Sequence, residues 1–381
     1  MAKPESAPEF TPFDRRDFLK AATGGAAALA ASSAVAVLSA PGAQQPAAKL
    51  SGAPDKLRID VHAHIYPNEY LDLLDRMGGG GTGTQIARAA PGSGSPDELA
   101  SRFQMMDRAG VKMQVLSAAP QLPSFAKKED SITAARFIND VYADYVRRYP
   151  DRFVAYVVTP LPHVDAAIDE MRRGVDTLGM VGVTMGTSVL TQSVADPMFD
   201  PFWEEMNQRG TILFFHPHGL GACSPLVQAD KLTWPIGATI EDTTVAAHLI
   251  ARQIPKRYPR VRIIVPHLGG EISMLMHRLD NQRKLYMPDD AELPSMTAKR
   301  FWYDTVSHAY APALRLACDA FGPDRLLLGS DYPYEVGDLF QHCVDYVKEP
   351  GVGLTAAQIE GILDRSAQAL FRLVPKPPVS R

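Results

Sequence analysis

Cysteine is scarce, with only 3 in 381 residues. Cys223, Cys318 and Cys343 are odd in number and widely spaced, so a disulfide framework is not the expected source of stability. A surplus of positive charge is also missing: 39 Lys and Arg stand against 43 Asp and Glu, for a net charge of −4. That balance lacks the basic excess of a nucleic-acid binder, and no nucleic-acid partner is expected. No strongly apolar run reaches the roughly 20 residues of a membrane anchor. The Ala-rich stretch near the N-terminus is diluted by Gly, Ser and Thr. No glycine fingerprint follows the first candidate strand, so a dinucleotide site lacks its phosphate cradle.

After residue 55 the chain alternates short β-branched runs with longer amphipathic ones. The candidate strands are 57–62 (LRIDVH), 112–118 (KMQVLSA), 153–160 (FVAYVVTP), 180–186 (MVGVTMG), 211–216 (TILFFH), 261–267 (VRIIVPH), 301–307 (FWYDTVS) and 325–331 (RLLLGSD). Helical stretches with apolar residues three and four apart fall between them, among them 131–150, 165–179, 196–210 and 310–322. This repetition predicts parallel pairing and, most economically, a closed (β/α)8 TIM barrel over 55–375. A doubly wound open sheet is the alternative.

Residues 1–48 differ in kind. Arg15 and Arg16 precede Phe18 and Leu19, a weakly hydrophobic run rich in Ala and Gly follows, and Pro and Gln close it. The segment resembles a bacterial twin-arginine export signal, with Asp14 where such signals more often carry Ser or Thr. Several small-residue cleavage sites lie between Ala36 and Ala48. The resemblance implies passage through the twin-arginine machinery to the periplasm, a route that carries proteins already folded. A membrane anchor and a disordered tail are the competing readings.

The stretch LRIDVHAHIYP places His62 and His64 two residues apart at a strand end. Alternation along a strand sends such a pair to one face, where both imidazoles can serve one metal ion. A pair of surface histidines is the plainer reading. The barrel changes the weighing, because chemistry in such folds sits at the C-terminal strand ends. His62 and His64 close strand one, His216 strand five, His267 strand six and Asp331 strand eight. Five such residues on one face are harder to dismiss than any one alone. Three neutral imidazoles and a carboxylate suit a borderline divalent ion such as zinc, with manganese, iron or cobalt as alternatives.

The motifs DVHAH, HPH, HLGG and GSDYPY, on strands one, five, six and eight, are similar to those of the amidohydrolase superfamily. In detail they resemble its branch related to 2-amino-3-carboxymuconate-6-semialdehyde decarboxylase. Segments such as MMDRAGVKMQVLS, EDTTVAAHLI and WYDTVSHAYAPALRLACDAFGPDRLLLGSDYP follow in that family's order. The resemblance implies a barrel of the metal-dependent hydrolase type. It implies that His62, His64, His216 and Asp331 hold one divalent ion, with Zn2+ favoured over Mn2+, Fe2+ or Co2+. His267 would act beside it as acid/base, with Asp331 as a possible proton-transfer partner. Strand four offers Val183, Thr184 and Met185 and no lysine, so no carbamylated bridge to a second metal is expected.

Two arginines follow from the same resemblance. Arg102 matches one that points at the substrate carboxylate, and Arg278 one supplied by a neighbouring subunit; a surface arginine on a helix is the competing reading for both. A guanidinium forks onto a carboxylate bidentately, and Arg278 in that role implies a homodimer. His218 departs from the family pattern and is expected at the rim or behind the ligands. The Gly- and Ser-rich stretch 78–96 reads equally as a flap or a passive loop. Trp234 and TVSHAY are expected to shape the pocket, and His308 to be structural or to face it.

The expected activity is a metal-dependent decarboxylase, a carboxy-lyase acting on a small unsaturated or aromatic carboxylic acid through metal-activated water and a histidine acid/base. Hydrolysis of a lactone, ester or amide at the same site is the alternative. A non-catalytic barrel that binds small acids is a third reading, which the histidine beside a complete ligand set disfavours.

Overall fold

In the computed structural model of the chain, residues 56–78 and 83–373 are described. The expected export signal lies outside them. Eight strands pair in sequence order: β1 (Ile59–His64), β2 (Met113–Ser117), β3 (Phe153–Val158), β4 (Gly182–Gly186), β5 (Ile212–His216), β6 (Arg262–Val265), β7 (Trp302–Asp304) and β8 (Leu326–Leu327). All neighbours are parallel. The seam between β8 and β1 closes through Val61 N–H to Leu328 O at 2.9 Å, Asp331 N–H to His62 O at 2.9 Å and His64 N–H to Tyr332 O at 2.7 Å. The strands read as apolar runs because barrel strands are covered on both faces, and β1 to β5 are buried throughout.

One principal helix follows each strand: α1 (Pro96–Ala109), α2 (Lys128–Arg148), α3 (Val164–Arg172), α4 (Asp200–Arg209), α5 (Ala238–Ala251), α6 (Ile272–Gln282), α7 (Ala311–Phe321) and α8 (Gly337–Asp345). Local chemistry sets their ends. The hydroxyl of Ser95 accepts the Glu98 N–H to start α1, and Gly110, at φ 70°, ends it in the left-handed region. The sequence-based fold is therefore the observed one. No helix among the described residues is long and apolar enough to cross a membrane.

Two apolar layers form. Ile59, Val61, Val115, Tyr156 and Phe214 fill the barrel with Leu370 and Phe371 of the C-terminal helix, while Ala63, Ile65, Leu116 and Phe215 pack under the helices. On β1 this switch departs from simple alternation, because Val61 and Ala63 belong to different layers. The pairing register with β2 shifts between Asp60 and Ala63. Such an irregularity re-aims the side chains beyond it, and it turns His62 and His64 toward the barrel axis above Phe214, whose ring lies 5.0 Å from that of His62.

Candidate metal centre and active site

His62, His64 and His216 project from β1 and β5, and Asp331 reaches in from the loop after β8. One ligand atom of each lies within 4.8 Å of every other. Each histidine is oriented from behind through Nδ1. His62 Nδ1 is 2.7 Å from Asp304 Oδ2, His64 Nδ1 is 3.2 Å from Ser117 O and His216 Nδ1 is 2.7 Å from Pro217 O. These contacts direct every Nε2 inward, as metal-binding imidazoles require. Asp331 Oδ1 is 3.1 Å from the Nε2 atoms of both His62 and His64.

The arrangement fits a divalent ion on two grounds. The Nε2 atom of His216 is buried and makes no hydrogen bond, a costly condition that a coordinated ion relieves. Burial also pushes His64 down to about 4 and His216 well below its ordinary range, so both present the neutral ring that ligates. At His62 burial works in the same direction, but the Asp304 and Asp331 carboxylates overcome it and raise the group to about 9. Two carboxylates converging on one imidazole mark a place that calls for positive charge.

Asp331 and His267 fall beyond their strands, four residues past β8 and two past β6. Both backbones are left-handed, at φ 59° and 50°, a cost the surrounding hydrogen bonds sustain. His267 N–H donates to Asp304 Oδ1 at 2.9 Å, and its Nδ1 is 2.7 Å from Asp242 Oδ2. Its Nε2 lies 3.8 Å from Asp331 Oδ2. Burial lowers its proton affinity, yet Asp242 and Asp331 hold it well above the ordinary histidine range. Gly329 makes room for this crowding: a Cβ there would stand 2.8 Å from Asp304 Cβ and 3.1 Å from His62 Cβ.

A cavity of about 680 Å3 opens above these residues, with His216, His267, Asp331, Trp234, His308 and Tyr334 in its wall. Val306 and Ser307 also line it, so Trp234 and the TVSHAY segment take the expected place. From the Gly-rich stretch, Ile86 reaches the cavity.

A family model described as amidohydrolase matches residues 59–373. The chain belongs to the amidohydrolase family. Among its relatives, the 2-amino-3-carboxymuconate-6-semialdehyde decarboxylase of Dictyostelium discoideum is 27% identical over 316 residues, covering 77% of this chain and 86% of that one. The gamma-resorcylate decarboxylase of Rhizobium sp. is 29% identical over 300 residues, covering 72% and 86%. The crystal structure of 2,6-dihydroxybenzoate decarboxylase from Rhizobium is similar with a TM-score of 0.69 at 24% identity, over 84% of this chain and 99% of that one.

In this amidohydrolase the two arginines part company with the ligand cluster. Arg102 is fully buried behind it. Its guanidinium donates to Glu98 Oε1 at 2.8 Å, Gln114 Oε1 at 3.1 Å and His64 O at 2.7 Å, and it stacks 4.2 Å from the Tyr332 ring centroid. Each of its three nitrogens donates within the protein and the side chain stands outside the cavity wall, so in this structure Arg102 is a strut beneath β1. Arg278 is exposed on α6, outside the cavity wall. His218 is buried behind the wall, with Nε2 2.8 Å from Ser188 O.

Two residues that organise the amidohydrolase site escaped the sequence reading. Asp304 and Asp242 lie in the segments WYDTVS and EDTTVAAHLI, yet an acidic residue at a strand end or in a helix has no fixed spacing to the histidine it serves. The position of Asp304 at the last residue of β7 is the one signal that marks it.

Proposed function

We propose that this amidohydrolase is a metal-dependent carboxy-lyase that releases carbon dioxide from a small unsaturated or aromatic carboxylic acid. The observation that carries the reading is similarity across the barrel to relatives that are decarboxylases of such acids. The donor set, with His267 Nε2 facing the cavity, supports it.

The ion held by His62, His64, His216 and Asp331 would supply positive charge for the substrate carboxylate and an acidified water. Zn2+ is our assignment, since three neutral imidazoles and a carboxylate form a borderline donor set. Mn2+, Fe2+ and Co2+ compete, and manganese is bound in the related dihydroxybenzoic acid decarboxylase of Polaromonas sp. JS666. His267 holds a proton at Nε2 while Asp242 fixes Nδ1. His267 gives that proton to the carbon that bears the carboxylate, and when the bond to the carboxylate then breaks its electron pair restores the conjugated system of the substrate. Asp242 stabilises the imidazolium before transfer and keeps the ring aimed.

Among the described residues, no Lys or Arg lines the cavity wall. That single feature favours the alternative, hydrolysis of a lactone, ester or amide, because a carboxylate clamp is optional there. Export through the twin-arginine pathway to the periplasm, and a homodimer in which Arg278 reaches a neighbouring site, belong to the same proposal. Fractionation and solution mass measurement test those two parts.

The deciding experiment is metal analysis of the purified protein followed by a screen for carbon dioxide release. Unsaturated and aromatic carboxylates, 2,6-dihydroxybenzoate first, are set against lactones and esters. Acid release from the second set alone would move the assignment to hydrolase.

A further inference from the structure

The loop after β7 carries an ion pair that the chemistry above leaves unused. His308 Nδ1 lies 2.6 Å from Glu335 Oε1. Glu335 is buried, with its side chain 2% exposed, whereas the His308 ring is 79% exposed and stands in the cavity wall. The second oxygen of Glu335, Oε2, is buried with no hydrogen-bond partner. A buried carboxylate in that condition is costly unless a cation faces it, and His308 is the cation it meets. The hydrogen bond that His308 donates to Glu335 accordingly raises the proton affinity of His308. With Nδ1 committed, Nε2 is the nitrogen left free for a ligand.

The backbone holds this ring with some strain. His308 and Ala309 are both left-handed, at φ 50° and 56°, and consecutive non-glycine residues in that region persist where tertiary contacts impose them. Charge is distributed unevenly around the cavity. On the β6 side Glu271 accepts from the hydroxyls of Thr239 and Thr243, so an anion there meets like charge. Among the described residues of the wall there is no Lys or Arg, and His308 is the cationic side chain they offer away from the ligand cluster and His267.

We propose that the His308–Glu335 pair is a second anchor of the cavity, and that the substrate carries a second acidic oxygen, a carboxylate or phenolate, apart from the carboxylate that reacts. This inference rests on the reading of the cavity as a site for small acids. A charge-assisted hydrogen bond from the same cavity wall that holds His216, His267 and Asp331 makes His308 a specificity-determining residue.

The test is equilibrium binding to the full-length, metal-loaded protein, followed by the fluorescence of Trp234 and the other tryptophans or by calorimetry. The probes are benzene-1,3-dicarboxylate and benzoate. We expect the dicarboxylate to bind about tenfold tighter or better. In His308→Gln the preference should shrink to within about threefold while benzoate binds as before. Glu335→Gln should weaken the preference partially, since the ring stays but loses its counter-charge. Equal binding of the two probes to the wild-type protein, or an undiminished preference in His308→Gln, overturns the proposal. Because binding is read without turnover, a protein that prefers the dicarboxylate but releases no carbon dioxide would sink the carboxy-lyase reading and leave the anchor standing.

Discussion

Asp304 Oδ2 lies 2.7 Å from His62 Nδ1, and both side chains are fully buried. The other oxygen of the same carboxylate accepts the backbone N–H of His267 at 2.9 Å. A single side chain at the end of β7 thus orients the candidate ligand His62 on β1 and positions His267, the proposed acid/base, after β6. Both are tied through one residue that stands outside the ligand cluster and outside the cavity wall.

Replacing it should therefore be felt first in metal binding. Asp304→Asn keeps the volume but weakens the hold on His62, and loss of such a partner typically costs about 10- to 100-fold in metal affinity. Competition with a chromophoric chelator measures this directly. An affinity equal to that of the wild type would mean that the other ligands fix the ion without His62 being aimed.

His267 is expected to separate metal binding from chemistry. His267→Asn should retain one ion per chain and lose about 10²- to 10⁴-fold in turnover. Asp242→Asn should retain the ion and lose less, since the ring remains in place without its carboxylate. Metal content by mass spectrometry beside carbon dioxide release checks both, and loss of the ion in His267→Asn would make that residue a ligand.

For Arg102 the expected effect lies in stability. Arg102→Met leaves Glu98, 7% exposed at the side chain, without its cation. It also removes the donor to the His64 carbonyl. Breaking one side of a buried pair costs about 3–5 kcal/mol, visible as a lower denaturant midpoint. Substrate KM should hold in whatever fraction folds. An unchanged midpoint with a raised KM would restore the substrate-clamp role that the family resemblance implies.

Acid stability offers a separate check on the outer layer. The Arg172 and Arg209 guanidiniums beside Glu205 hold its carboxyl down at about 2, against 4.5 ordinarily. A depressed folded-state value means the stabilisation is complete above the unfolded value and fades as pH falls from about 4.5 toward 2. Glu205→Gln should thus be less stable than the wild type near neutrality, by about 1 kcal/mol or less for a surface pair. The difference should close near pH 2. Urea unfolding at several pH values tests the trend, and a difference that persists at the lowest pH would remove the ion pair as its cause.

The sequence by itself determined the order of strands and helices and pointed to the four residues that converge at the barrel mouth. Short β-branched runs and apolar residues at helical spacing are local signals, and they placed all eight strands in the pairing order observed. His62, His64, His216 and Asp331 were legible because each follows or ends such a run. The place of Arg102 was not legible, because its residue type says what it can bind, while burial decides which groups it meets.

Only the tertiary structure decided the rest. The shift of register on β1, between Asp60 and Ala63, turns both ligating histidines inward where plain alternation would keep Val61 and Ala63 on one face. Asp304 meets His62 across 242 residues, and Glu335 meets His308 through a separate loop. Such meetings depend on barrel closure, which brings β8 against β1 and every strand end to one rim. Periodicity is a property of neighbours along the chain, whereas the field at an imidazole comes from whichever carboxylates the closed barrel sets beside it.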